Sequence, residues 1–408
     1  MRYADSVFLR GGLLKDLFLA DADDIRSGRT MDVYFHRARQ VLESQGLEGV
    51  PVKGEFTVSS LPEGWPWAVL CGTEEVLRLL EGLPVDLYGL PEGTVFQPRA
   101  ANGARVPIMS IHGRYVDFGE METSILGMLC HPSGVATRSA RCKQAAEGKP
   151  LLSFGNRRMH PAISPMLDRS SYLGGCDDVA SPRGAELIGK QPVGTVPHAL
   201  MLLMGSDEAA LKAFDAVMPP SVPRIMLVDT YDDEKGGALK ACHTLPGLHG
   251  IRLDTPRSRR GSFRQIVQEL RWEMDMQGFQ DVKIIVSGGL DERQIEDLAG
   301  CGVDSFAVGT SISNAPTLDF SLDLVEVNGR PLSKRGKFSG RKHPYRCPRC
   351  LRWQVSLLPD EKIECSCGAA MEMMEVQLLE GGKRCAPARS AAEIRDGVLR
   401  QLRILNDI

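Results

Sequence analysis

From residue 151 onward, short apolar runs alternate with longer amphipathic ones. The apolar runs are LLSF (151–154), VGTVPH (193–198), RIMLVDT (224–230), HGIRLD (249–254), VKIIVSG (282–288) and SFAVGT (305–310). Stretches 206–217, 235–244, 262–277 and 291–300 read as helices between them. Strands separated by helices at this interval predict parallel pairing through βαβ units. Runs this apolar fit a sheet covered on both faces or closed on itself. The expected fold class is α/β, with an irregular parallel α/β barrel over residues 119–315.

The first part of the chain has a mixed pattern. Positions 31–44 predict a helix with Tyr34, Phe35, Ala38, Val41 and Leu42 on one stripe, behind an acidic run that ends at Asp32. A helix is expected over 73–81, capped by Thr73, with Glu74 and Glu75 in its first turn. WAVLC (67–71) and VPIMSIHG (106–113) read as strands. Two further helices, 121–129 and 135–146, are joined by HPSG, where His131 and Pro132 end the first and Ser133 caps the second. After residue 314, LDLVEVNGRPLSKRGKFSGRK (322–342) reads as strands returning to the first domain, with the basic run 334–342 as a solvated loop. The N-terminal α/β domain, an open-faced sandwich over 1–118, is therefore expected to be discontinuous and completed by residues 316–340.

Cys347 and Cys350 form CPRC, and Cys365 and Cys367 form CSC. Two closely spaced thiolate pairs predict a tetrahedral Cys₄ site for structural Zn²⁺, in a small module over 341–380. Four thiolates leave no open position for catalysis, so the metal is expected to staple a piece too small to fold alone. A closing helix lies within 386–408, with Ile394, Val398, Leu399, Leu402 and Ile404 mostly on one side.

With 408 residues the chain exceeds what one core usually holds. A net charge of −3 disfavours a nucleic-acid binder. Arg2, Asp5, Arg10, Lys15 and Asp16 interrupt the N-terminal apolar residues, so neither a leader nor a membrane span is expected. The other seven of the 11 cysteines are scattered, as in a reducing cytoplasm.

Polar groups collect where the apolar runs end: His198, Asp229, Arg252 with Asp254, Ser287 to Gly289, and Gly309 with Thr310. In an α/β barrel that end is the active-site face, and glycine loops after the last strands suit a phosphate. The densest stretch is FGNRRMHP, LGGCDDVAS and GTVPHAL, where Arg, Asp and His are interleaved with Gly and Pro, as at an anion site.

The ordered set DVYF, ETSILG with SGVATR, FGNRR, GTVPHAL, DTYD, RLD, SGGLD and VGT resembles the nicotinate phosphoribosyltransferase family. That family belongs to the type II phosphoribosyltransferases, beside the quinolinate and nicotinamide enzymes. The resemblance spans residues 22–314. It implies joining of nicotinate to 5-phosphoribosyl pyrophosphate, giving nicotinate mononucleotide and pyrophosphate for NAD synthesis. By resemblance, Asp229 and Asp254 hold ribose hydroxyls or Mg²⁺-bound waters, and Arg157 and Arg252 meet phosphate or the nicotinate carboxylate. Phe154 stacks on the pyridine. Tyr34, with Asp32 beside it, comes from the second subunit, so a homodimer or higher oligomer with a shared site is implied. Ser287, Gly288, Gly289, Gly309 and Thr310 hold the 5′-phosphate, and Arg138 and Thr195 fall in matching substrate-binding motifs. The histidine matching His198 is phosphorylated by ATP. Asp177 matches an acid that the nicotinamide branch places near its amide. The alternatives are a nicotinamide or quinolinate phosphoribosyltransferase, or an inactive zinc-containing homologue with a binding role. Some members carry an appended zinc knuckle.

Overall fold

The alternating region builds one six-stranded parallel sheet. Its strands lie in the order Asp178–Val179, Leu151–Ser153, Ser305–Val308, Lys283–Val286, Gly250–Leu253, Ile225–Leu227. Each neighbouring pair is parallel. Ile251, Leu253, Ile284, Val286, Phe306 and Val308 are fully buried on one face, and Ile285 and Ala307 are buried on the other, as a sheet covered on both faces requires. Five of the six expected runs become strands. The run 193–198 does not: Val193 N–H donates to the Val179 carbonyl at 2.9 Å, and a helix begins at His198 (His198–Met204). Pro192 and Pro197 bracket this segment and cannot donate to a ladder. The sheet thus curls into a half-barrel, open where 193–197 passes.

This structure, a computed structural model, describes residues 18–256, 258, 261–359 and 361–407. The N-terminal charges Arg2 to Asp16 lie outside the described residues. The chain divides into two compact units. One contains Val135–Ala315 and Ser390–Leu402; the other takes in the chain up to Gly134, Pro316–Arg389 and the residues from Arg403.

In the half-barrel unit the expected helices form behind side-chain caps. Ser206, Asp233, Ser262 and Asp291 accept backbone N–H groups at the starts of Asp207–Val217, Glu234–Thr244, Phe263–Met276 and Glu292–Ala299. Helices Ser164–Gly174 and Pro182–Ile188 were not signalled by periodicity.

The other unit holds a seven-stranded antiparallel sheet in the order Arg330–Pro331, Phe320–Val327, Pro51–Val58, Met109–Arg114, Asp86–Gly89, Val376–Glu380, Lys383–Arg384. The chain does return after the barrel, since Phe320–Val327 pairs with Pro51–Val58. The sheet also takes in Val376–Glu380 and Lys383–Arg384, beyond the expected completion near residue 340. Part of the stretch assigned to the zinc module is thus a strand of this sheet.

Four local expectations are corrected. Residues Glu122–Ala145 form one helix through Pro132. The carbonyl of Met128, which Pro132 cannot serve, is covered by Gly72, where a Cβ would sit 1.8 Å from that oxygen. Ser133 exchanges hydrogen bonds with the Cys71 backbone, at 3.0 and 3.1 Å, instead of capping a helix. The helix Thr73–Leu80 is capped by left-handed Gly72, with Thr73 buried inside it. On the helix Val33–Ser44 only Phe35 is buried; Tyr34 and Val41 are exposed, beside a groove of about 690 Å³ lined by Leu42, Val52, Tyr115 and Leu324. The basic run is not simply solvated: Lys342 is buried on Glu55 at 2.8 Å, and Lys334 and Lys337 both pair with Asp323.

A three-stranded sheet, His343–Arg346, Trp353–Ser356 and Glu372–Met373, carries the cysteine turns, and its Trp353 is buried in this unit's core. Among the described residues no helix is long and apolar enough to cross a membrane.

Candidate active site

The carboxyl ends of the parallel strands carry a connected polar array. Arg252, at the end of Gly250–Leu253, is its hub. Its Nε donates to Ser287 Oγ at 2.9 Å, Nη1 to Thr195 Oγ1 at 2.5 Å, and Nη2 to Asp254 Oδ2 at 2.7 Å. Its guanidinium lies 5.7 Å from the Phe154 ring centroid, a cation–π distance. Ser287 donates to Asp254 Oδ1 at 2.8 Å, so Asp254 and Arg252 are fixed from both sides. Thr195 reaches the hub although its segment is not a strand, because the irregular chain crosses the open side of the half-barrel.

Asp229 extends the array. Its Oδ2 accepts from Asp254 N–H at 3.1 Å and from Thr255 Oγ1 at 3.2 Å. Its Oδ1 is buried without a hydrogen-bond partner. His198 Nε2 stands 3.9 Å from that oxygen, and Nδ1 bonds to Thr230 Oγ1 at 3.0 Å. Burial pushes the Asp229 carboxyl above the usual carboxylate range, with the His198 ring working against it. A buried carboxylate oxygen with no donor is costly unless a ligand, cation or water completes it.

Two glycine loops approach this array. Gly288 and Gly289 both have positive φ, 88° and 71°, and a Cβ on Gly288 would lie 3.2 Å from the Asp254 carbonyl. Gly309 opens the short turn Thr310–Ser313, and a Cβ on Gly155 would lie 2.8 Å from its carbonyl. Glycine turns of this kind suit a phosphate. Arg138 lies 3.9 Å from Glu292, just after the first glycine loop, and Arg141 grips the same carboxylate at 2.7 and 2.8 Å. Arg157 is exposed on the turn Asn156–Arg158 and makes no hydrogen bond or ion pair among the described residues.

The structure does not bring Asp177 to this end. Its carboxylate accepts from Lys143 Nζ at 2.7 Å, Arg395 Nη2 at 2.6 Å and Leu151 N–H at 2.8 Å. Leu151 begins its strand, so Asp177 sits at the amino-terminal end of the strands, opposite the end that carries Phe154. Three donors occupy it as a structural clamp. Asp32 and Tyr34 belong to the other unit. There Asp32 exchanges hydrogen bonds with Thr123, at 3.0 and 3.1 Å, and Tyr34 is exposed.

Asp168, Asn156 and Thr255 were not singled out by the sequence, whereas Thr230 stood beside Asp229 at its strand end. Asp168 had no signal in spacing, because residues 170–174 of its helix are buried in a continuous run and not on one stripe.

The cysteine cluster is compact. The four Sγ atoms lie within 4.8 Å of one another, with Cys347–Cys367 and Cys350–Cys365 at 3.5 Å. A tetrahedral metal with ~2.3 Å bonds to sulfur implies Sγ separations of about 3.8 Å, so this donor set fits zinc. Gly368, at φ 81°, turns the chain tightly enough for the short CSC spacing.

The fold is an α/β half-barrel whose strand ends carry a connected polar array. The model of the quinolinate phosphoribosyl transferase C-terminal domain matches residues 135–323, and that of the N-terminal domain matches 32–133. A solved nicotinate-nucleotide pyrophosphorylase from Pyrococcus furiosus is 46% identical, with a TM-score of 0.92 over 96% of this chain and 99% of that one. A nicotinate phosphoribosyltransferase of Mycobacterium tuberculosis is 29% identical over 349 residues, 74% of each chain. The human nicotinic acid phosphoribosyltransferase shares the fold, with a TM-score of 0.74 at 21% identity over 92% of this chain and 93% of that one. The chain belongs to the type II phosphoribosyltransferase family that includes the nicotinate and quinolinate enzymes.

Proposed function

We propose that the chain transfers the phosphoribosyl group of 5-phosphoribosyl pyrophosphate to nicotinate, releasing pyrophosphate and forming nicotinate mononucleotide. The observation that carries this is the Arg252 hub, which joins an aromatic ring, a strand-end carboxylate and a glycine loop in one array. Phe154 stacks the pyridine, and Arg252 beneath it keeps that surface positively charged. Pyrophosphate departure leaves an oxocarbenium-like ribose, which Asp229 and Asp254 stabilise by charge and by holding the hydroxyls. Asp229, with its unpaired buried oxygen, and Asp254 suit the Mg²⁺ that accompanies phosphoribosyl pyrophosphate and neutralises the departing anion. The loops at Gly288, Gly289, Gly309 and Thr310 take the 5′-phosphate, with Ser287 and Thr195 positioning and Arg138 behind them.

Nicotinate is favoured over its rivals by two local facts. Arg157 is a guanidinium without an ion pair among the described residues, while Arg252 is already tied to Asp254, so the array suits one carboxylate. Quinolinate, the name carried by the matching family models, needs a second cation. The acid that could argue for nicotinamide, Asp177, is spent on Lys143 and Arg395.

ATP is proposed to phosphorylate His198. Thr230 accepts the Nδ1 proton in a hydrogen bond, leaving the Nε2 lone pair to attack the γ-phosphorus; the bond to the β-phosphate oxygen breaks, ADP departs, and the proton stays on Nδ1. A second copy of the chain is proposed to supply Tyr34 and Asp32, which the exposure of Tyr34 beside an apolar groove supports. Zinc on Cys347, Cys350, Cys365 and Cys367 holds the small sheet. Pyrophosphate release measured with nicotinate, nicotinamide and quinolinate, each with and without ATP, tests the reading. Nicotinate should dominate and ATP should stimulate it. Turnover restricted to another base would overturn the substrate, and equal rates without ATP would overturn the role of His198.

A further inference from the structure

We infer that Asp168 is a positioning residue that sets Arg157 in the mouth, and this rests on the role proposed for Arg157. Asp168 is fully buried on the helix Ser164–Gly174 and belongs to no strand end. Its Oδ2 accepts the Asn156 side-chain amide at 2.8 Å, the Ser181 N–H at 3.1 Å and the Ser181 hydroxyl. Asn156 begins the turn Asn156–Arg158, directly after the strand that delivers Phe154. Ser181 follows the neighbouring strand Asp178–Val179 and caps the helix Pro182–Ile188. One carboxylate oxygen therefore ties together the loops after two adjacent strands, both at the mouth end of the sheet.

The fit is close. A Cβ on Gly184 would lie 2.3 Å from Asp168 Oδ2, so the backbone here has room for the carboxylate and nothing larger. Burial pushes the Asp168 carboxyl upward, and its Ser181 and Asn156 donors pull it back down. The turn has few other anchors. Phe154 N–H donates to the Val308 carbonyl at 2.8 Å, Gly155 abuts Ser313, and Arg157 and Arg158 are exposed. The only side chain of Asn156–Arg158 with a hydrogen bond among the described residues is Asn156, and that bond goes to Asp168. Removing it frees the arginine turn while Arg252, Asp254 and Asp229, which Asp168 does not touch, stay in place.

Two readouts test this on the full chain. The first needs no turnover: timed trypsin cleavage after Arg157 and Arg158. Asp168→Ala should speed cleavage there by about tenfold, the size expected for loss of one or two hydrogen bonds, with other sites unchanged. Asp168→Asn keeps an acceptor oxygen and should cleave as the wild type does. The second is a double-mutant comparison of KM for the ligand whose KM rises in Arg157→Ala. Asp168→Ala should raise that KM by about tenfold with kcat nearly unchanged. It should add less than about twofold when Arg157 is already alanine. Unchanged cleavage, or an equal effect in both backgrounds, overturns the inference. If wild type turns over no pyridine base, the proposed function fails while the cleavage comparison still decides the role of Asp168.

Discussion

Glu55 in the antiparallel sheet and Asp229 at the end of a parallel strand are both carboxylates removed from water, and their surroundings differ. Lys342 donates to Glu55 through both its backbone N–H and its ammonium, each at 2.8 Å. Asp323 nearby takes Lys334 and Lys337, and Glu375 takes Arg341 and His343. Asp229 has no such counter-charge: one oxygen is unpartnered, and His198 stands at 3.9 Å. Arg157 in the same unit makes no ion pair among the described residues. The antiparallel sheet completes Glu55, Asp323 and Glu375 with basic partners, while the parallel strand end leaves an Asp229 oxygen for something else to complete. Unfinished electrostatics at strand ends mark the working end of the molecule better than the number of charges does.

The largest effects should separate these regions. Arg252→Ala is expected to lower kcat/KM by about 10³-fold with little change in thermal midpoint, because it removes charge stabilisation at the reacting end. Lys342→Met should do the reverse, costing about 3 kcal/mol by leaving Glu55 buried without its counter-ion, with kcat/KM within about threefold of wild type. Steady-state kinetics and thermal melts on both variants check this; swapped outcomes would break the comparison. Asp229→Asn should lose activity by about 10²-fold and melt higher than wild type. The sign follows from the raised Asp229 carboxyl: above the ordinary aspartate range its ionisation is less favourable folded than unfolded, and asparagine removes that penalty.

Much of the half-barrel was legible because its code is local. Runs such as VKIIVSG carry apolar residues on both faces and end in glycine, and caps such as Ser206 and Asp291 stand one residue before their helices. The strand-end set Asp229, Arg252, Asp254 and Ser287 followed from those runs. Features decided by distant partners were not legible. Pro132 lies inside a helix, and the room for the Met128 carbonyl it cannot serve is left by Gly72, 60 positions earlier. Asp177 looked like a site residue by motif, yet Lys143 and Arg395 take it from elsewhere in the chain. Thr195 was expected on a strand and reaches Arg252 from an irregular segment instead. Asp168 is a site component that no spacing announces.

Two smaller effects sharpen the contrast. His112 is pushed down to about 3 by burial and by Arg341, Lys53 and His343 around it. It is neutral when folded, whereas unfolded it protonates near ~6.5. Its contribution to stability is therefore whole above ~6.5 and is lost as pH falls from there toward 3. Melts of wild type and His112→Gln across that window should show a shallower acid loss in the variant; identical slopes would contradict it. The smallest expected effect is on base choice. Asp177→Asn should leave the nicotinate-to-nicotinamide ratio of kcat/KM unchanged within about twofold, because Asp177 lies at the amino-terminal end of the strands. A large shift in that ratio, read by competing the two bases, would return Asp177 to the site.

The account stands most directly on whether the product of the proposed reaction binds at Arg252. Titration calorimetry of nicotinate mononucleotide into wild type and into Arg252→Ala measures this without turnover. Saturable binding to wild type, weakened by about 10²-fold in Arg252→Ala and displaced by phosphoribosyl pyrophosphate, is the predicted result. Equal binding by the two proteins, or none by wild type, would contradict it.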